Sequence, residues 1–301
     1  MFSVVIPLYN KEKSIFATLQ SVCEQSFTDF EVIVVNDGST DNGGAIAEAF
    51  PDNRVRVINK SNGGVCSARN RGILESNGQH IAFLDADDQW DKQYLQEQAR
   101  MIQDFPEATM WGINFAELSK GKPLRTLKTG LPEGFRGYVN DYFQIPGRES
   151  DLFCSSSVVI FKDVFNKVGL FDEKLRYSED IDMWFRIISN NKVAFYDKYM
   201  VFYIYDAENR AMNRTRTLKY WLPYYVDKYS DPLFKHNQVF YRWIMRWAGC
   251  RIKHIYFNDS EQHHDAKVAS RKLDYAMLPI KYRFELLTPY CIGKIVYKLL
   301  K

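Results

Sequence analysis

The chain opens with short apolar runs that alternate with amphipathic stretches. Residues 3–8 (Ser-Val-Val-Ile-Pro-Leu) predict a buried strand, and residues 11–25 predict a helix with Ile15, Leu19 and Val22 on one face. Residues 31–36 predict a second strand, closed by Asp37-Gly38-Ser39. Thr40 or Asp41 is placed to cap the next helix, which Pro51 ends. Residues 54–58 predict a third strand, Asn62-Gly63-Gly64 a turn, and the stretch to about Ser76 a helix. Residues 79–84 predict a fourth strand. Apolar strands alternating with helices predict a parallel sheet covered on both faces. Crossovers in such sheets are right-handed, so polar strand ends gather at one edge, where ligands bind. Asn10, Asp37, Asn62 and Asp85 each fall just past a predicted strand, so four polar clusters converge on one rim.

Beyond residue 105 the pattern changes. Residues 108–118 and 152–162 read as strands, and residues 193–205 as one or two. Residues 120–150 carry no clear period and predict an excursion or flap. Residues 178–188 predict a helix with Ser178 as cap and Glu179, Asp180 and Asp182 in its first turn. From about Thr215 the chain reads as helical. The boundaries are a main domain over residues 1–210 and a C-terminal helical extension over 211–301.

Charge sharpens that division. Residues 1–214 carry 24 Lys+Arg against 30 Asp+Glu, whereas residues 215–301 carry 16 against 7. The acidic balance of the larger part disfavours nucleic acid as a partner, and the basic extension points to an anionic surface. Five scattered cysteines without CxxC spacing indicate neither a zinc site nor a disulfide framework, which fits a cytoplasmic protein. The first strand begins near Ser3, leaving no room for a signal peptide, and no apolar run is long enough to span a bilayer.

The run Ile81-Ala82-Phe83-Leu84-Asp85-Ala86-Asp87-Asp88 carries the most chemistry. It ends a buried strand in three carboxylates, and such a cluster needs a positive partner. Hard divalent cations such as Mg²⁺ or Mn²⁺ take oxygen ligands and share their coordination shell with substrate phosphates. Taken alone, an acidic turn after a strand accounts for the same residues. No GxxxxGK[ST] loop is present, which argues against a P-loop ATPase.

Five segments in order extend the picture. They are Val4-Val5-Ile6-Pro7-Leu8-Tyr9-Asn10, Val34-Val35-Asn36-Asp37-Gly38-Ser39-Thr40-Asp41, Asn62-Gly63-Gly64 leading to Ala68-Arg69-Asn70, Phe83-Leu84-Asp85-Ala86-Asp87-Asp88, and Ser178-Glu179-Asp180. Over residues 1 to about 205 the chain resembles family 2 of the nucleotide-sugar glycosyltransferases. That resemblance implies the GT-A fold, a Rossmann-like and mostly parallel sheet flanked by helices. It implies that Pro7, Tyr9 and Asp37 hold the uracil end of a UDP-sugar donor, with Arg69 near the nucleotide. A carboxylate suits uracil because N3–H is a donor. It implies that Asp85, Ala86 and Asp87 line the donor, with Asp87 and Asp85 toward Mn²⁺ or Mg²⁺. Asp88 is expected to ligate or to position the acceptor, with Glu179 in a supporting place. Asp180 is the expected base, taking a proton from an acceptor hydroxyl in a single inverting displacement. The implied acceptor is a glycan or lipid-linked glycan, as in surface polysaccharide synthesis.

Departures from the family pattern qualify this. Tyr203-Ile204-Tyr205-Asp206 lacks the histidine that completes some metal shells, which leaves Asp206 as a substitute. Gln238-Val239-Phe240-Tyr241-Arg242-Trp243 is one residue too long for the QxxRW of processive synthases. His263-His264 is expected in a solvated loop. Residues 290–301 form a short basic amphipathic pattern, suited either to docking on the domain or to peripheral membrane contact on the cytoplasmic face. The rival to an enzyme is a nucleotide-sugar-binding protein of the same fold without turnover.

Overall fold

Val4, Val5, Ile6 and Leu8 are completely buried, and so is the run Val32–Val35. Such strands need cover on both faces, and the computed structural model supplies it. It describes residues 1–125, 128–145, 152–175, 177–209, 222–229, 237–258 and 262–287. Strand β1 (Phe2–Leu8) is followed by α1 (Ile15–Cys23), β2 (Phe30–Asp37), α2 (Gly43–Glu48), β3 (Val55–Lys60), α3 (Val65–Glu75) and β4 (His80–Phe83). Successive side chains of a strand point to opposite faces. Val4, Ile6 and Leu8 share a core with Ile15, Leu19 and Val22 of α1. On the other face, Ile33 and Val35 cluster with Ala68 of α3. There α3 approaches β1 so closely that a Cβ at Gly72 would lie 2.2 Å from Val5 Cγ1. Only glycine fits that crossing.

The chain continues through β5 (Gln89–Trp90), α4 (Tyr94–Asp104), β6 (Ala108–Ser119), β7 (Lys122–Arg125), β8 (Arg136–Tyr138), β9 (Val158–Phe161), α5 (Val164–Val168), α6 (Glu179–Ile188) and β10 (Lys192–Ile204). The sheet order is β3-β2-β1-β4-β9-β6-β10-β5, with β7 beside β6 and β8 beside β10. Strands β1 to β4 are parallel, as the alternating pattern predicts. The second half is mixed, because β9 runs antiparallel to both β4 and β6. The start of β9 therefore lies at the edge where β4 ends. Strand β10 is a single strand parallel to β6, with a register shift between Tyr196 and Val201.

Several local expectations are corrected. Helix α4 was not read from the sequence, since it buries the polar Gln98 and Glu97 beside Leu95 and Met101 and so blurs its apolar stripe. Ser178 sits before α6 with φ 58° and ψ 28°, and its hydroxyl does not cap the helix. The 120–150 excursion contains β7 and β8, both paired to the main sheet. His263 and His264 begin a helix, His263–Ser270, rather than a loop.

Two compact units divide the chain: Met1–Lys174 with Ser178–Asn213, and Leu175–Tyr177 with Arg214–Lys301. The second contains the helices Leu222–Tyr229, Gln238–Asn258, His263–Ser270 and Ile280–Leu287. The long helix buries Phe240, Tyr241, Ile244, Met245, Ala248 and Ile252 along one face. At Gly249 an added Cβ would lie 2.8 Å from Leu278 Cδ2, so the Leu278 side chain packs directly against the helix backbone there. Lys253 pairs with the buried Glu285 at 3.2 Å. Among the described residues no helix is long and apolar enough to cross a membrane. The amphipathic 290–301 segment lies outside the described residues.

Candidate active site

The parallel register brings the carboxyl ends of β1, β2 and β3 level. Asp37, the last residue of β2, is in register with Lys60, the last residue of β3. Asp37 is 3% exposed. Lys60 Nζ donates to its Oδ1 at 2.5 Å, and Gly63 N–H donates to the same oxygen at 2.9 Å. Gly64 N–H donates to Oδ2 at 2.7 Å, and the Asn62 amide donates to the Asp37 carbonyl at 2.9 Å. Gly38 (φ 72°) and Gly64 (φ 90°) adopt the left-handed backbone this turn requires. A carboxylate offers about four acceptor sites, so these three donors leave room for one more. Across the rim, Asn10 (φ 53°) receives Thr40 N–H on Oδ1 at 2.8 Å and donates its own N–H to Ser39 Oγ at 3.1 Å. This ties the Pro7-Leu8-Tyr9 exit of β1 to the exit of β2. Pro7 and Tyr9 are partly buried there.

Beyond β4 lies the acidic end. Ala86 is buried, while Asp85 and Asp87 are partly open. Arg69, on α3, is 2% exposed. Its guanidinium donates to Asp85 Oδ1 at 2.8 Å and to Glu179 Oε1 at 2.9 Å. Its Nε has no hydrogen-bond partner among the described residues. Burial works against its charge, but Asp85, Glu179 and Asp180 outweigh that and hold its pKa above the ordinary value. One arginine thus joins the acids after β4 to those that open α6. Asp180, beside Glu179, accepts the Ile181 N–H at 2.8 Å. Burial, then the charge of Glu179, pushes its carboxyl up to about 7, against the pull of Arg69.

Asp88 is 1% exposed and faces inward. Its Oδ2 accepts the Ser156 hydroxyl at 2.5 Å, and its Oδ1 accepts Ile204 N–H at 3.2 Å. Burial, with Asp87 and Asp85 nearby, holds its pKa well above the ordinary value. The turn that closes through Asp88 N–H to the Asp85 carbonyl (3.0 Å) directs it there. It braces the rim from inside and offers no surface to an acceptor. Asp206 is also directed elsewhere, since its carboxylate accepts the Ser119 hydroxyl and Lys120 N–H at the β6–β7 turn.

Three side chains, those of Lys60, Ser156 and Lys11, were not read from the sequence as part of the site. Lys60 grips Asp37 together with the Gly63 and Gly64 amides of the turn. Ser156, fully buried, accepts Asp85 N–H at 3.1 Å and presents its carbonyl to Trp90 Nε1 at 2.7 Å. It precedes β9, and only the antiparallel insertion of that strand carries it to the rim. Lys11 places Nζ 2.6 Å from Asp87 Oδ2. Its signal was weak, since a lysine in a polar loop is ordinarily solvated.

A helix-flanked mixed sheet, parallel through its first four strands, with polar groups collected at the carboxyl strand ends defines the GT-A class of fold. The sequence profile for glycosyl transferase family 2 matches residues 3–169, more than half of the chain, and the chain belongs to that family. It is a glycosyltransferase. It is 26% identical over 245 residues to the glycosyltransferase GlyG of Streptococcus pneumoniae serotype 4, covering 77% of this chain and 79% of that one. It is 28% identical over 217 residues to the uncharacterized glycosyltransferase RT0329 of Rickettsia typhi, covering 71% and 68%. The crystal structure of S. aureus TarS 1–349 in complex with UDP-GlcNAc superposes with a TM-score of 0.77 at 20% identity, covering 98% of this chain and 88% of that one. The family match ends before Glu179 and Asp180.

Proposed function

We propose that the protein transfers a hexose from a UDP-sugar to a hydroxyl of a glycan or lipid-linked glycan, with inversion and with the help of Mg²⁺ or Mn²⁺. The observation that carries this reading is Asp180. It is a carboxylate raised to about 7 and linked through Glu179 and Arg69 to the acids after β4. A base near neutrality suits deprotonation of a hydroxyl. Asp180 takes the acceptor proton as the acceptor oxygen attacks the anomeric carbon. The bond from that carbon to the diphosphate breaks, and UDP leaves. The spare acceptor site on Asp37 receives the uracil N3–H. Its other bonds fix the carboxylate before the donor arrives, which supplies orientation in advance.

Among the described residues no group of three or more His, Cys, Asp or Glu is gathered as a metal site. Mg²⁺ needs only one or two carboxylates when substrate phosphates complete its shell, so the residues present fit. Asp87, with Asp85 beside it, would hold the ion, which supplies charge neutralisation for the leaving diphosphate. Arg69 keeps Asp85 oriented, and Asp88 and Ser156 hold the turn beneath.

The test is UDP release from a panel of UDP-sugars with Mn²⁺, for wild type and Asp180→Asn. The reading expects acceptor-dependent release by wild type and its loss in the variant. A variant as fast as wild type removes Asp180 as base. Wild type that binds UDP-sugars yet never releases UDP with any acceptor favours a binding protein.

A further inference from the structure

Lys11 is a cation at the rim with no part in the scheme so far. It follows Tyr9-Asn10 on the loop between β1 and α1 and is 9% exposed. Its Nζ lies 2.6 Å from Asp87 Oδ2 and also donates to the carbonyl oxygen of Glu208. The segment that supplies this carbonyl is fastened to the same loop. The Glu208 carboxylate accepts Lys13 N–H at 3.0 Å and the Ser14 hydroxyl at 2.7 Å. The Asn209 amide reaches the Tyr9 carbonyl at 3.4 Å.

Lysine is seldom buried, because its ammonium is strongly hydrated. A surface ion pair would need no such enclosure. Here the ammonium is held against the one acid of Asp85, Asp87 and Asp88 that neither Arg69 nor Ser156 engages. On the donor reading above, a diphosphate arrives at this acid. Two anions cannot approach without a cation between them, and Lys11 already stands there. An ammonium has three N–H donors, and two are used by Asp87 and Glu208. Lysine is well suited to phosphate as a compact point charge.

We propose that Lys11 binds the donor's diphosphate. Before the donor arrives it holds Asp87 in place. Afterwards its third N–H bonds a phosphate oxygen, and its charge offsets part of what the leaving diphosphate develops. The same position has a second consequence. A divalent ion on Asp87 must approach a carboxylate that Lys11 already neutralises, so Lys11 weakens ion binding to the nucleotide-free protein. Once the diphosphate adds its charge, both cations are accommodated.

The experiment titrates UDP and uridine, in EDTA, into wild type, Lys11→Met and Lys11→Arg by calorimetry. UDP affinity should fall about tenfold in Lys11→Met, as for loss of one charge-assisted bond. Uridine affinity should stay within about twofold, because uridine lacks the diphosphate, and Lys11→Arg should keep most of the UDP affinity. Mn²⁺ binding to the nucleotide-free protein, read by electron paramagnetic resonance, should tighten about tenfold in Lys11→Met, and adding Asp87→Asn should abolish that gain. If Lys11→Met does not fold, Lys11→Gln carries the same comparison, since the ratio of UDP to uridine affinity is internal to each variant. Equal loss of UDP and uridine binding, or no loss of either, overturns the proposal and leaves Lys11 as a structural tie. Wild type that binds no UDP overturns the donor reading instead, and with it the premise.

Discussion

The nucleoside end and the acidic end of the rim are built in opposite ways. Around Asp37 every hydrogen-bond partner of the carboxylate and carbonyl among the described residues comes from residues 60–64, and two of the grips are backbone amides. Around Asp85–Asp88 and Asp180 the described partners come from residues 11, 18, 69, 156, 181 and 204, which lie on different elements. Negative charge at the first end is matched by donors. At the second, acids outnumber cations among the described residues, and burial, with the neighbouring acids adding to it, raises the pKa values of Asp88 and Asp180. The first end is a finished socket. The second is held under electrostatic load, as expected where charge is to be moved.

The sharpest way to break that comparison is Asp180→Asn. Turnover should fall by about three orders of magnitude, within the range for loss of a general base. UDP affinity should stay within about twofold, because the nucleoside end is untouched. The melting temperature should rise at pH 8, since one member of a crowded acid set is gone. A variant that loses turnover and stability together would show that Asp180 is a structural acid.

Asp37→Ala should do the reverse. UDP affinity should fall about tenfold or more, and stability by about 1–3 kcal/mol, because two amides and Lys60 lose their acceptor. Calorimetry and thermal melts measure both. Unchanged UDP affinity would remove Asp37 from the nucleoside site.

The same contrast has a pH signature in donor-free, metal-free protein. The folded pKa of Asp180, about 7, lies above the model value of 3.8. Between those values the folded state binds more protons than the unfolded chain, so this group's contribution to stability is present at low pH and is lost as pH rises through about 7. Activity should follow the opposite course and fall below about pH 7, as the base is protonated. Melts and initial rates from pH 5.5 to 8.5 test the pair of slopes. In Asp180→Asn the stability slope should flatten.

How much of this was legible follows from how local each feature is. Strands β1 to β4 announce themselves through uninterrupted apolar runs, and Asp37 and Asp85 follow directly as the polar residues that end two of them. Glu179 and Asp180 were legible only through resemblance, because acids opening a helix are favoured by its dipole in any case. Ser156 was hidden, since a hydroxyl in Ser155-Ser156-Ser157 carries no periodic signal and its place depends on β9 entering the sheet backwards. Asp88 was visible, but its direction was not: one turn sends it inward while Asp87 stays at the rim.

Ser156→Ala sharpens the comparison most finely, because it alters the acidic end without removing an acid. The hydroxyl donates to Asp88 and accepts from Asp85 N–H, so its loss leaves one buried acceptor and one amide short of a partner. The expected cost is about 1–2 kcal/mol of stability, measured by denaturant unfolding. The Ser156 bond to Asp88 favours the charged carboxylate, so without it the Asp88 pKa climbs further and the folded state gains protons. The stability deficit of the variant should therefore widen as pH rises. Turnover should drop only a few-fold, through a looser Asp85–Asp87 turn. UDP affinity in EDTA should stay near wild type if the nucleoside end is independent, as its separate set of partners implies. An equal loss of UDP affinity would mean that the two ends are one mechanical unit, and the contrast between socket and loaded cluster would fail.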